Sequence, residues 1–199
     1  WNEENTERFW HPEPDPVRYG ELLKASAIAI RAADPDAKIV FGGLASLTFF
    51  GSGSWPFLAD TLHAHPDLGN YIDAVAIHPY TLLQTLAPEA DNAAGTYEDM
   101  LAAATEVLSR YGLERVPLVL TEMGWPACPC PPLEPPSLIP NVTYEQQAAY
   151  LVRAFLLGWA AGIEMFLWYD FYDGSGGASI FSEDWFGLVT HDFSNKYIA

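Results

Sequence analysis

Positive charge is scarce in this chain: nine Lys+Arg stand against 26 Asp+Glu, a formal net charge of -17. So acidic a surface lacks the basic patches that neutralise nucleic-acid phosphates or hold to anionic lipid. Neither nucleic acid nor membrane is therefore an expected partner. Neutral or cationic ligands fit better, although solubility alone would account for the charge. Cysteine is nearly absent. Cys128 and Cys130, in "PACPCPP", are too few for the four ligands of a structural zinc site, and no histidine lies near them in sequence. A local disulfide in an oxidising compartment and two free loop thiols both remain open. No apolar run reaches the ~18 residues of a membrane span; residues 148–163 come closest, and Arg153 interrupts them. No G-x-G-x-x-G or G-x-x-x-x-G-K-[ST] follows a strand pattern, and "FGGLAS" is too short for either, so nucleotide binding is not expected. The chain opens on Trp1 with no leader, which sets the expectation that the true N-terminus lies upstream. The sequence fixes no compartment, with an extracellular one slightly favoured. "NVT" at 141–143 fits a glycosylation sequon, a tripeptide that also arises by chance.

What the chain does have is enough apolar residue, 50% of the total, to build one domain with a real core. Four short runs, "AKIVFGGLAS" (37–46), "YIDAVAIHPY" (71–80), "VPLVLTEMGWP" (116–126) and "IEMFLWYDFY" (163–172), are almost continuously apolar rather than alternating. That pattern predicts parallel strands covered on both faces. Helical periodicity fills the gaps, over 17–33, 55–65, 97–111 and 144–161. Thr96 and Thr143 stand as N-caps, Thr143 with Gln146 as a capping box, and Gly112 and Gly162 stand as stops. Strands separated by whole helices run parallel with right-handed crossovers. The fold class is α/β, and an open doubly wound sheet or part of a (β/α)8 barrel both fit.

Each strand pattern ends in groups that a core would not choose. The first ends in Gly-Gly and Ser46, the second in His78-Pro79-Tyr80, the third in Thr121-Glu122-Met123-Gly124-Trp125, and the fourth in Trp168-Tyr169-Asp170. Ligands of parallel α/β folds bind at the carboxyl ends of strands. Glu122 follows "PLVL", where a carboxylate is costly to bury unless paired or functional, so it is the first candidate for chemistry; a structural ion pair is the alternative. His78 and Tyr80, two apart, share one strand face. A satisfied core histidine is the plainer reading of His78 alone. Each of Trp1, Trp125, Trp168 and Tyr169 taken singly reads as core, but together at strand ends they suit stacking on sugar rings. The proline-rich loop 126–140 is stiff enough to wall a cleft, or to be a passive surface loop.

The opening "WNEEN" with "FW" soon after, then "PDAKIVFGG", "DAVAIHPY", "LTEMGWP", "FLWYDF" and "FGLV" with a later lysine, resembles the clan A glycoside hydrolases, most of all their family 39 and family 5 branch. The likeness covers essentially the whole chain but only part of that family's TIM (β/α)8 barrel. It implies a partial barrel, roughly strands 5–8 with the end of strand 4. Residues 1–199 would then be the C-terminal part of a single catalytic domain whose N-terminal half is absent. From Glu3 to Glu122 the spacing is about 40 residues per βα unit, above the ~31 of a minimal barrel and ordinary with insertions.

The resemblance also implies roles. Glu122 would be the nucleophile and Glu3 the acid/base of a retaining β-glycoside hydrolase. Asn2 would bind the sugar 2-hydroxyl, Tyr80 would orient Glu122, and His78 would contact sugar or acid/base. Trp125 would contact substrate, and Trp168 would floor the cleaved subsite. The substrate would be an oligo- or polysaccharide, with no metal and no organic cofactor. The fragment alone would be inactive. One departure stands out: the family has proline after its acid/base, and here Glu4 takes that place, either sharpening its neighbour or facing solvent, and leaving open a register in which Glu4 is the acid. A catalytically silent carbohydrate-binding barrel is the rival reading.

Overall fold

The structure, a computed structural model, describes residues 1–46, 55–81, 84–91, 95–128, 141–174, 179 and 181–196. Most of loop 126–140, with Cys130, lies outside them. Cys128 is disulfide-bonded.

Helices and strands alternate: α1 (Pro16–Ala33), β1 (Val40–Ala45), α2 (Pro56–Ala64), β2 (Ala74–His78), α3 (Tyr97–Arg110), β3 (Leu118–Leu120) and α4 (Tyr144–Ala160). The caps explain where the helices begin. Asp15 accepts from the Arg18 N–H at 2.9 Å ahead of Pro16, which sets φ for the first turn. Thr96 with Asp99 and Thr143 with Gln146 both close full capping boxes. Gly112 (φ 72°) and Gly162 (φ 85°) take the left-handed conformation that ends α3 and α4. All four helices match their predicted spans to within a residue at each end.

The sheet is parallel, in the order β1-β2-β3, with β2 central and wholly buried. It is extended by single parallel bridges at both edges, Asn2 to Gly43 and Leu120 to Phe166. The result is an open arc, with no closed barrel among the described residues. The predicted strands prove too long. The third leaves the ladder after Leu120, and the fourth survives as isolated bridges, at Phe166 flanked by two backbone bonds to Leu120 and at Tyr172 to Val189. Continuous apolar character marks burial, and Met123, Trp125 and Ala127 are buried as loop rather than as strand.

The two faces of the sheet differ. Phe41, Leu44, Val75, Ile77, Leu118 and Leu120 pack with the helices in the main core. Ala74, Ala76 and Val119 form a separate small cluster on the opposite face. Alternation along β2 and β3 places them so, and in β1 the register shift between Phe41 and Leu44 brings both to the core side. The carboxyl ends of all three strands therefore open on one rim.

Beyond α4 the chain is held by a buried ion pair. Lys196 donates to Asp173 Oδ1 at 2.7 Å and to the carbonyls of Ala127 and Trp185 at 3.1 and 3.0 Å, with each side chain only 2% exposed. Burial pushes the Asp173 carboxyl up and the Lys196 ammonium down, and their mutual contact opposes both shifts. Asp173 also accepts from the Gly187 N–H, so the pair fixes the segment around Trp185 and Phe186 beside the rim. Removing one partner strands a buried charge. Lys196→Met is expected to lower the unfolding free energy by about 3–5 kcal/mol in a urea titration; a loss under about 1 kcal/mol would contradict this role.

Candidate active site

At the rim, three strand ends deliver side chains to one point. β2 ends in His78, whose ring is 1% exposed. Its Nδ1 lies 3.1 Å from Glu3 Oε1 and 3.6 Å from Glu122 Oε2, and its Nε2 lies 3.0 Å from Thr121 Oγ1. A carboxylate only accepts, so Nδ1–H donates to Glu3, and Nε2 accepts from the Thr121 hydroxyl. The ring can sit there because β1 has no side chain at Gly43: a Cβ would lie 2.1 Å from His78 Nε2. The Gly-Gly of β1, where the sheet register shifts, is thus a gap cut for side chains from neighbouring segments.

Glu3 sits on a tight turn with φ 45°, a left-handed conformation that costs a non-glycine residue about 1–2 kcal/mol. The turn is heavily tied. Glu3 N–H donates to Gly43 O (2.9 Å), and Thr6 donates to Glu3 O through both its N–H and its hydroxyl. Asn5 exchanges two bonds with the backbone of Ala45, at 2.8 and 3.0 Å. This strain supports the reading of Glu3 as a functional residue.

Glu122 is one-quarter exposed. Burial raises its carboxyl above the ordinary range, and the charge of Glu3 adds to that; His78 and a hydrogen bond from the Tyr80 hydroxyl (3.2 Å) act the other way. The Tyr80 phenol is itself pushed well up, by burial and then by the charge of Glu122, so it stays a donor. One atom each from Glu3, His78 and Glu122 lies within 4.8 Å of the others, a spacing at which a cation could be gripped. Both ring nitrogens of His78 are engaged in hydrogen bonds, Nδ1 with Glu3 and Nε2 with Thr121.

A cleft of about 430 Å³ opens over this network, within the range of small-ligand sites. Of the residues singled out in the sequence, Asn2, Glu3, Tyr80 and Glu122 line it. His78 stands behind Glu3 rather than on the wall. Trp125 is a correction: it is fully buried, its indole N–H bonded to Thr81 Oγ1 and Leu86 O, so it presents no face to a sugar. Trp168 packs beside it, donates to Phe186 O at 3.1 Å, and is not among the residues lining the cleft. The aromatic wall comes instead from Phe9, Tyr169 and Phe186. Arg8 and Glu183 complete the mouth, 3.8 Å apart and exposed. Sequence reasoning passed over Phe9, Phe186, Arg8 and Glu183, because only the fold brings their segments together. Glu4 neither faces solvent nor enters the cleft; it is wholly buried.

No protein-family model and no curated protein matches the chain. Solved structures do. A family 39 glycoside hydrolase from the gut symbiont Bacteroides cellulosilyticus WH2 is similar over 92% of this chain and 36% of its own, with TM-score 0.62 and 26% identity. The GH39 enzyme from Xanthomonas axonopodis pv. citri matches 98% of this chain and 37% of its own (TM-score 0.62, 17% identity). A β-glucuronidase from Ruminococcus gnavus in complex with D-glucuronic acid matches 98% and 29% (TM-score 0.58, 18% identity). The chain spans about a third of each of these proteins. Its fold is that of a portion of TIM-barrel glycosidases.

Because the Tyr80 hydroxyl favours the ionised form of Glu122, Tyr80→Phe is expected to move the Glu122 titration to higher pH, followed by carboxyl NMR. An unchanged or lower midpoint would contradict the assigned hydrogen bond.

Proposed function

We propose that this chain carries the catalytic rim of a retaining β-glycoside hydrolase acting on oligo- or polysaccharides. In this reading residues 1–199 supply the end of strand 4 and strands 5–8 of a (β/α)8 barrel, and activity belongs to the complete protein. The observation that carries the proposal is the pairing of Glu3 and Glu122. Carboxylate oxygens of the two lie within 4.8 Å of one another on one cleft. Retaining enzymes hold their two carboxyl groups ~5–5.5 Å apart, and inverting enzymes leave room for a water at ~6.5–9.5 Å. The close approach supports retention. The likeness to glycosidases of known fold supports the reaction class.

The chemistry then follows from the geometry. Glu122, ionised and steadied by the Tyr80 hydroxyl, attacks the anomeric carbon, while Glu3 gives its proton to the departing glycosidic oxygen. The C–O bond breaks and a glycosyl ester to Glu122 forms. Glu3, now a carboxylate, takes a proton from water, whose oxygen attacks the same carbon and releases Glu122. His78 Nδ1–H on Oε1 of Glu3 leaves Oε2 to carry the proton. Asn2 lines the cleft beside Glu3, in reach of a sugar hydroxyl. Each step moves only protons and one covalent bond, and the two carboxyls supply both.

In the complete protein, Glu122→Ala is expected to abolish hydrolysis of aryl β-glycosides; surviving activity would refute the nucleophile. Glu3→Ala is expected to lower kcat/KM by about 10²–10⁴-fold for substrates with poor leaving groups and much less for activated aryl glycosides. Uniform losses across leaving groups would remove Glu3 from the acid role. A wild type that binds sugars and hydrolyses none would favour the silent binding barrel instead.

A further inference from the structure

Glu4 is a carboxyl that the proposed chemistry does not use, and it sits in an unusual place. It is 0% exposed, and neither carboxyl oxygen has a hydrogen-bond partner. Its side chain runs under β1 into the space left by Gly42, where a Cβ would lie 2.5 Å from both oxygens. From α1, the Tyr19 hydroxyl accepts from the Gly42 N–H at 2.7 Å and keeps its own proton to offer Glu4, a contact that opposes the effect of burial without closing a well-formed bond. The other titratable group facing it is His78 on β2. Among the described residues no cation pairs with it. Burial in such surroundings favours the uncharged form of the carboxyl. It is also bonded directly to Glu3, the residue whose backbone is strained.

We propose that Glu4 is a positioning residue for Glu3: an uncharged acid that plugs the gap beneath Gly42, holds the strained turn in place, and lets that turn go when it ionises. The proposal rests on Glu3 being the acid/base. Ionised, Glu4 would have to leave its pocket for water, and Glu3, one peptide away, cannot keep its tie to Gly43 while that happens. Glu4 thus does at this position what a fixed ring could do by covalent stiffness, but only while protonated. Burial pushes its carboxyl above the ordinary value of 4.5. Because the folded form holds the proton more tightly than the unfolded chain, this part of the stability is complete below pH 4.5 and is lost as pH rises through the folded-state value.

The test compares the complete wild-type protein with E4Q, neutral and of the same shape, and with E4M, which has similar length and no polar atoms should the buried amide of E4Q prevent folding. The melting temperature of wild type is expected to fall relative to the variants as pH is raised above 4.5. The alkaline limb of kcat/KM is expected to fall more steeply in wild type, where ionising Glu4 adds a second proton loss, than in the variants. A melting-temperature gap that stays constant with pH would overturn the proposal whatever the activity. So would alkaline limbs of equal slope. If the gap opens but no protein hydrolyses any glycoside, the glycosidase reading fails and the positioning role of Glu4 in catalysis falls with it.

Discussion

The site depends on one imidazole. His78 closes β2 with its ring buried, held by Thr121 on one side and donating to Glu3 on the other, with Glu122 3.6 Å from the same nitrogen. Two carboxylates this close repel each other, and repulsion together with burial would drive one of them neutral. The Nδ1–H fixes which oxygen Glu3 presents, and the Tyr80 hydroxyl does the same for Glu122, so the two carboxyls stand in different surroundings.

Everything around the ring serves to hold it. Gly43 removes the side chain that would collide with it, and Gly42 makes the same allowance for Glu4. Asn5 splices the Glu3 turn onto the end of β1 through Ala45. On the far side, the Lys196–Asp173 pair anchors the segment that carries Phe186, and Phe186 packs edge-on against Tyr80 at 6.0 Å. Tyr80 in turn holds Glu122. A continuous path of contacts therefore runs from a buried ion pair outside the cleft to one of the two carboxylates within it.

Much of this was legible in the chain itself. Helices announce their ends through caps, which are local chemistry, and Thr96, Thr143, Gly112 and Gly162 act as their sequence context implies. The place of Glu122 at the rim was legible because a carboxylate closing an apolar run is costly to bury; His78, buried and hydrogen-bonded on both nitrogens, also meets the plainer reading of a satisfied core histidine. Two things were not. Trp125 reads as a sugar platform, yet its fate is set by Thr81 and Leu86, distant in sequence, which satisfy its N–H and bury it. Glu4 reads as a surface residue or a rival acid, and only the glycine opposite it, on another strand, makes room for it inside. The Gly-Gly in β1 carried that signal: consecutive glycines in a strand mark a close approach, though not what approaches.

The central claim is that Glu122 forms a covalent bond to sugar in a site where Glu3 is its partner. The most direct measurement uses the complete protein and an activated 2-deoxy-2-fluoro β-glycoside, which slows breakdown of a glycosyl ester more than its formation, with the labelled peptide identified by mass spectrometry. The expected result is a single fluoroglycosyl adduct on the peptide containing Glu122, at the Glu122 carboxyl. A protein that hydrolyses β-glycosides yet carries the adduct elsewhere, or carries none, would contradict the account.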